Sequence, residues 1–216
     1  MKHFKSIVDQ SDPLAKFFLE QGTEIKFESG ATISAQGSPS DKILRVNRGC
    51  VRVCAYAADG DRRVLQFVTP GGYLALEDVR ECITAREAVD LVVVSAVARS
   101  TFETELARRP LMQSAVRKHL ALEIDAQAEL LVLTGQTSAV ERVRLFLQRY
   151  ARPRPTSGFV SLPMCRRDIA DHLGLSMETV SRAFSTLKAR KEIALRGANF
   201  FRIISGACGG ESNQAV

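Results

Sequence analysis

Between about residues 24 and 97 short apolar runs alternate with glycine-marked breaks, and from residue 110 onward the apolar spacing becomes helical. The first region holds Lys42-Ile43-Leu44-Arg45-Val46, then Cys50-Val51-Arg52-Val53-Cys54-Ala55-Tyr56, then Val64-Leu65-Gln66-Phe67-Val68. Between such runs stand Ser29-Gly30, Gln36-Gly37, Arg48-Gly49, Asp59-Gly60 and Pro70-Gly71-Gly72. Runs this short, broken this often by turn residues, predict an antiparallel sandwich or roll.

Residues 110–133 predict one long helix with no internal Gly or Pro, and Leu111, Ala115, Leu122, Ala126, Leu130 and Leu133 form its apolar stripe. A helix of this length bridges two domains. Its stripe suits a twin helix in a dimer, and packing onto the roll of its own chain is compatible with that. Thr134-Gly135-Gln136-Thr137 reads as a break and a hinge. A second helix is expected over 138–150, ended by Pro153 and Pro155, and the Gly-rich, polar stretch 206–216 is expected to fray. The expected organisation is thus α+β: a roll over 1–109, a dimerisation helix and hinge over 110–137, a small C-terminal domain over 138–205, and a tail.

Charge adds direction to this outline. The 216 residues carry a formal net charge of +6, but the excess is segregated. From Ser138 to Ser205 there are 13 Lys or Arg against 5 Asp or Glu, whereas residues 1–137 are nearly balanced, 17 against 18. A basic C-terminal third suits a polyanion, because Lys and Arg displace counterions condensed on a phosphate backbone. Met1-Lys2-His3-Phe4-Lys5 leads into no apolar stretch long enough for a signal peptide or membrane span. The five cysteines (50, 54, 82, 165 and 208) are scattered without a C-x-x-C pair, which argues against a disulfide framework and for a reducing cytoplasm.

The decisive stretch is Arg166-Arg167-Asp168-Ile169-Ala170-Asp171-His172-Leu173-Gly174-Leu175-Ser176-Met177-Glu178-Thr179-Val180-Ser181-Arg182-Ala183-Phe184. A helix-turn-helix needs a small residue where two helices cross, a glycine in the tight turn, and a β-branched residue on the second helix facing the first. Ala170, Gly174 and Val180 supply these. Ile169, Leu173, Leu175 and Phe184 are expected to fill the small core, Ser176 to cap the second helix, and Met177, Val180, Phe184 and Leu187 to form that helix's buried stripe. Glu178, Ser181 and Arg182 stand at i, i+3 and i+4 and so share the exposed face. In a major groove, arginine grips guanine O6 and N7, and glutamate accepts from the cytosine amino group. Residues 192–203, apolar runs flanking Gly197-Ala198-Asn199, read as a β-hairpin wing. Arg166, Arg167, Ser176, Thr179, Arg196 and Arg202 are candidates for DNA phosphate contacts.

This order of roll, long helix, hinge and winged helix-turn-helix resembles the CRP/FNR family of bacterial regulators over nearly the whole chain. Glu178, Ser181 and Arg182 match the Glu-x-x-Ser-Arg pattern of its FNR and FixK branches. Leu162-Pro163-Met164-Cys165-Arg166-Arg167-Asp168-Ile169 resembles FixK-type regulators of low-oxygen and nitrogen-fixation genes. The resemblance implies a cyclic-nucleotide-binding-like jelly roll, a homodimer on a palindrome like TTGAT-N4-ATCAA, and transcription activation by contact with RNA polymerase.

Departures from the family's sensors bear on ligands. No cysteine precedes Cys50, so the clustered N-terminal set that binds an iron–sulfur centre is missing. Pro70-Gly71-Gly72 is followed by Tyr73-Leu74-Ala75-Leu76-Glu77, without the Gly-Glu element and later Arg-Ser or Arg-Thr pair of the cyclic-nucleotide branch. Arg86 is a weak phosphate ligand candidate. The histidines are His3, His119 and His172, too few and too scattered for a cupin-like enzyme site. No cofactor, metal or enzymatic activity is expected. An effector-dependent sensor, with haem or a small ligand in the roll, is the alternative. Cys50 and Cys54 read as core thiols. Cys165 falls at the expected N-cap of the first motif helix, close to where such helices meet phosphate. Its oxidation to a fixed anion there would act as a redox brake on DNA binding.

Overall fold

The computed structural model describes residues 12–77, 81–136, 138–151 and 158–204, and these divide into two compact units, 1–131 and 132–216. Pro153, Pro155, Cys208, His3 and the tail 206–216 lie outside the described residues.

In the first unit the β-rich pattern becomes two antiparallel sheets. One carries β1 (Thr23–Phe27), β8 (Val92–Ala98), β3 (Lys42–Arg48) and β6 (Tyr73–Leu74), hydrogen-bonded in that order. The other orders β2 (Thr32–Ser34), β7 (Ala85–Ala88), β4 (Val51–Tyr56) and β5 (Arg62–Val68). Val46, Val51, Ala88, Val92 and Val94 fill the space within the roll. Cys50 and Cys54 are buried there, with a bulge between Val53 and Cys54. Among the described residues, no three His, Cys, Asp or Glu side chains are grouped to hold a metal.

Two helices appear that the periodicity alone did not predict. α1 (Pro13–Gln21) begins with an acidic N-cap and a proline at its first position, both favourable there. Asp12 Oδ1 accepts from the Leu14 amide at 3.0 Å, and its Oδ2 accepts from the Tyr73 hydroxyl at 3.2 Å. Phe17 and Phe18 of α1 pack edge-on with each other and meet Phe102 of α2 (Arg99–Arg108). With Leu14, Ile43 and Tyr73 they make a second apolar core, onto which the long helix is laid.

That helix, α3, spans Pro110–Gln136. Thr134, Gly135 and Gln136 are helical, which corrects the expected break; Thr137, the rest of the expected hinge, is outside the described residues. The expected stripe also divides: Ala115 packs against the α1–α2 core, and Ala126, Leu130 and Leu133 are half-buried. Met112 and Val116 are buried against the α1–α2 core, His119 meets the Tyr73 ring edge-on at 4.7 Å, and Gln127 donates to the Leu65 carbonyl. Leu111 and Leu122, by contrast, are exposed. The helix carries two apolar stripes, and spacing alone merged them.

The second unit begins with α4 (Ala139–Ala151) and contains α5 (Arg166–Leu173), α6 (Met177–Ala189) and a three-stranded sheet in the order β10 (Ile193–Leu195), β11 (Phe200–Ile203), β9 (Val160–Ser161). β9 was not anticipated, being two residues long. No helix among the described residues is long and apolar enough to cross a membrane.

Candidate nucleic-acid interface

Helices α5 and α6 meet as the sequence pattern requires. Ile169, Ala170, Leu173, Val180, Ala183, Phe184 and Leu187 are all buried, so the crossing is closed by a small residue on α5 and a β-branched one on α6. Leu175 is only half-buried. Met177, expected in the stripe, is 47% exposed. It is the first residue of α6 and lies ahead of the turn that faces α5.

The turn is fixed by backbone chemistry. Gly174 ends α5 in the left-handed region, φ 64°, and the Leu175 amide donates to the Ala170 carbonyl at 3.0 Å. Arg142 of α4 donates to the Leu173 carbonyl at 3.2 Å, closing the same helix end from outside the motif. Motif spacing gave no sign of this residue. Gly174→Ala is expected to cost roughly 1–2 kcal/mol, because a Cβ disfavours this conformation. Chemical denaturation of the parent and variant measures it, with the midpoint moving to lower denaturant.

Ser176 caps α6, its Oγ accepting from the Thr179 amide at 3.1 Å. The capped first turns present Glu178, Ser181 and Arg182 side by side, all exposed. The Glu178 carboxyl is held below the usual carboxylate range by its own backbone amide, then by Ser176 and by Arg182. It is therefore an anion at neutral pH, a pure acceptor. The Ser181 hydroxyl donates to the Met177 carbonyl at 2.9 Å, which leaves its oxygen as an acceptor toward solvent. Donor and acceptor chemistry thus stand one turn apart on an uncovered helix face.

The surrounding cations differ in availability. Arg167 is exposed. Arg166 stacks its guanidinium 3.4 Å from the Phe184 ring centroid, and burial pushes its pKa below the usual arginine range. Arg196 and Arg202 are exposed and lie 5.0 and 5.3 Å from the Phe159 ring. Phe159 is shared by both wing arginines, and Arg196 also lies 4.8 Å from the Phe200 ring. Cys165 is the N-cap of α5 and is exposed. Its amide and its thiol each lie 3.3 Å from Oδ2 of the buried Asp168.

Residues 141–205 match the model of the Crp-like helix-turn-helix domain, and residues 24–109 that of the cyclic nucleotide-binding domain. The chain is 36% identical to the nitrogen fixation regulation protein FixK of Rhizobium meliloti, over 82% of this chain and 81% of that protein. It is 29% identical to the transcriptional activatory protein AadR of Rhodopseudomonas palustris, over 79% and 73% respectively. The solved structure of FixK2 from Bradyrhizobium japonicum superposes with a TM-score of 0.80 at 31% identity, covering 84% of this chain and 92% of that one.

Proposed function

The chain belongs to the CRP/FNR family of DNA-binding transcription regulators, and from that premise we propose that it works as a cytoplasmic homodimer reading a palindrome like TTGAT-N4-ATCAA. The observation that carries this reading is the exposed row Glu178, Ser181 and Arg182 on a capped α6. Arg182 takes guanine O6 and N7, Glu178 accepts from the cytosine amino group at or beside that pair, and Ser181 meets a thymine or a neighbouring phosphate. Arg167, Arg196, Arg202, Ser176 and Thr179 position the phosphate backbone without reading sequence. Arg166 is a weaker phosphate ligand, since its guanidinium is half-buried against Phe184.

Two such faces are needed for a palindrome, and α3 supports their pairing. Ala121, Ile124, Ala128 and Leu131 are exposed and follow each other at alternating spacings of three and four, the seam of a two-helix coil. The stripe on the other side of the helix is occupied by the roll. A palindrome read by a symmetric pair requires the two α6 helices about one DNA turn apart, roughly 34 Å. Similarity to activators, AadR by name, supports activation through RNA polymerase as the outcome of binding. Selection from a random duplex pool tests the reading. Enrichment of inverted TTGAT-like half-sites four bases apart supports it; enrichment of single half-sites, or none, contradicts it.

Redox sensitivity belongs to the same proposal. Two equivalents of peroxide convert the exposed Cys165 thiol to a sulfinic acid with release of two waters, and the sulfinate is a fixed anion. It would stand against Asp168 at the start of α5, where phosphate approaches. Peroxide is expected to weaken DNA binding of the parent at least tenfold and to leave Cys165→Ser unchanged, read by electrophoretic mobility shift. Equal sensitivity of both proteins removes Cys165 from the account.

A further inference from the structure

We propose that Glu77 is a built-in counter-ion that closes the roll's cavity to anionic effectors. A cavity of about 210 Å³ in the roll has an apolar wall of Ile25, Phe27, Ile33 and Leu44; Arg86 and Cys82 also line it, and the exposed Asp41 and Lys42 stand at it as neighbouring opposite charges. Arg86, on β7, is 3% exposed. A guanidinium buried in a cavity wall demands an anion, and without one from the chain it would be a receptor for phosphate or carboxylate. Here the chain supplies it. Arg86 Nη2 donates to Glu77 Oε1 at 2.5 Å, while Nη1 donates to Ser34 Oγ at 3.2 Å and Cys82 Sγ at 2.9 Å.

The carboxylate is delivered by a braced loop. Ala75 is left-handed, φ 63°, and turns the chain after β6. Arg99 then grips the loop from the start of α2, donating from Nη2 to the Ala75 carbonyl at 2.8 Å and from Nη1 to the Glu77 carbonyl at 3.1 Å. Its Nε also donates to the Ser40 carbonyl at 2.6 Å. These bonds go to main-chain atoms, so the loop is held whatever side chain stands at position 77. A tethered carboxylate gives up little freedom on pairing, whereas a free anion must give up its translation and also displace Glu77. A second acid stands nearby on α3. Glu123 is half-buried, its carboxyl raised above the usual range by burial first and then by Glu77, with Gln66 and Arg86 opposing. The match to a cyclic nucleotide-binding domain therefore extends to the roll, but the buried arginine of this roll already carries a carboxylate from its own chain.

Thermal unfolding of the full chain tests this, comparing inorganic phosphate with chloride at matched pH and ionic strength. The parent gives the baseline, including any phosphate held by the basic DNA-facing surface. Glu77→Gln removes the paired carboxylate from Arg86, and phosphate is expected to raise its Tm by roughly 5 °C more than the parent's. Glu77→Gln/Arg86→Met is expected to lose that gain. If Glu77→Gln is poorly folded in chloride, recovery of folded protein in phosphate, by circular dichroism, is the same readout. An equal phosphate effect in parent and Glu77→Gln, a gain that survives loss of Arg86, or no recovery in phosphate overturns the proposal. DNA binding is not read in this test, so its failure leaves the α6 reading standing.

Discussion

Replacing Arg182 with alanine is expected to remove sequence discrimination while leaving general DNA affinity largely in place. A good bidentate arginine–guanine contact contributes about 1–3 kcal/mol of discrimination. A dimer makes it twice, so affinity for TTGAT-N4-ATCAA is expected to fall by roughly 30-fold to 10⁴-fold. Binding to a scrambled duplex should change little, because it rests on phosphate neutralisation by other cations. The competing account makes Arg182 merely the i+4 partner of Glu178, whose coulombic effect on that carboxyl is the smallest of its causes. Such a pair contributes only about 0.2–0.5 kcal/mol and no sequence dependence. Titrating parent and variant against both duplexes at one salt concentration distinguishes a base reader from a helix ornament.

Placing glutamates at positions 124 and 128 is expected to be nearly as damaging, by another route. Ile124 is 68% exposed and Ala128 is exposed, so carboxylates there spare the roll-facing side of α3 where Met112 and Val116 are buried. Two copies facing each other across the seam would instead bring four like charges into contact. Ile124→Glu/Ala128→Glu is expected to sediment as a monomer with unchanged circular dichroism. Its affinity for the palindrome should fall roughly 10²–10⁴-fold, toward that for one half-site, as the linkage between the two faces is lost. A variant that stays dimeric would move the interface off this seam.

The winged motif was almost wholly legible because each of its parts has a local chemical reason: a small residue at a crossing, a glycine at positive φ, a serine cap, and an exposed polar triplet. Those requirements lie within one short stretch of chain. The roll's strands were legible for the same reason, through glycine turns that punctuate them. What escaped depends on partners far along the chain. α1 is stabilised by Phe17 and Phe18 meeting Phe102, a contact that spacing cannot show. The stripe on α3 was misassigned because the helix serves two surfaces with interleaved residues. Met177 was placed in the core by periodicity, although a helix's first residue precedes the face it would share. At the site, Arg166 looked as free as Arg167; only the fold lays it on Phe184. Arg86 stands out in the sequence as a possible phosphate ligand, but its pairing with Glu77 depends on a loop held by Arg99.

Reading of a specific palindrome through α6 is tested by fluorescence anisotropy of the reduced protein without added ligand. The titration is run on a labelled TTGAT-N4-ATCAA duplex and a scrambled duplex of equal length at one stated salt concentration. Tight binding to the first is expected, with at least 10³-fold weaker binding to the second, in the range separating specific from non-specific complexes. Equal, weak binding to both duplexes would contradict it.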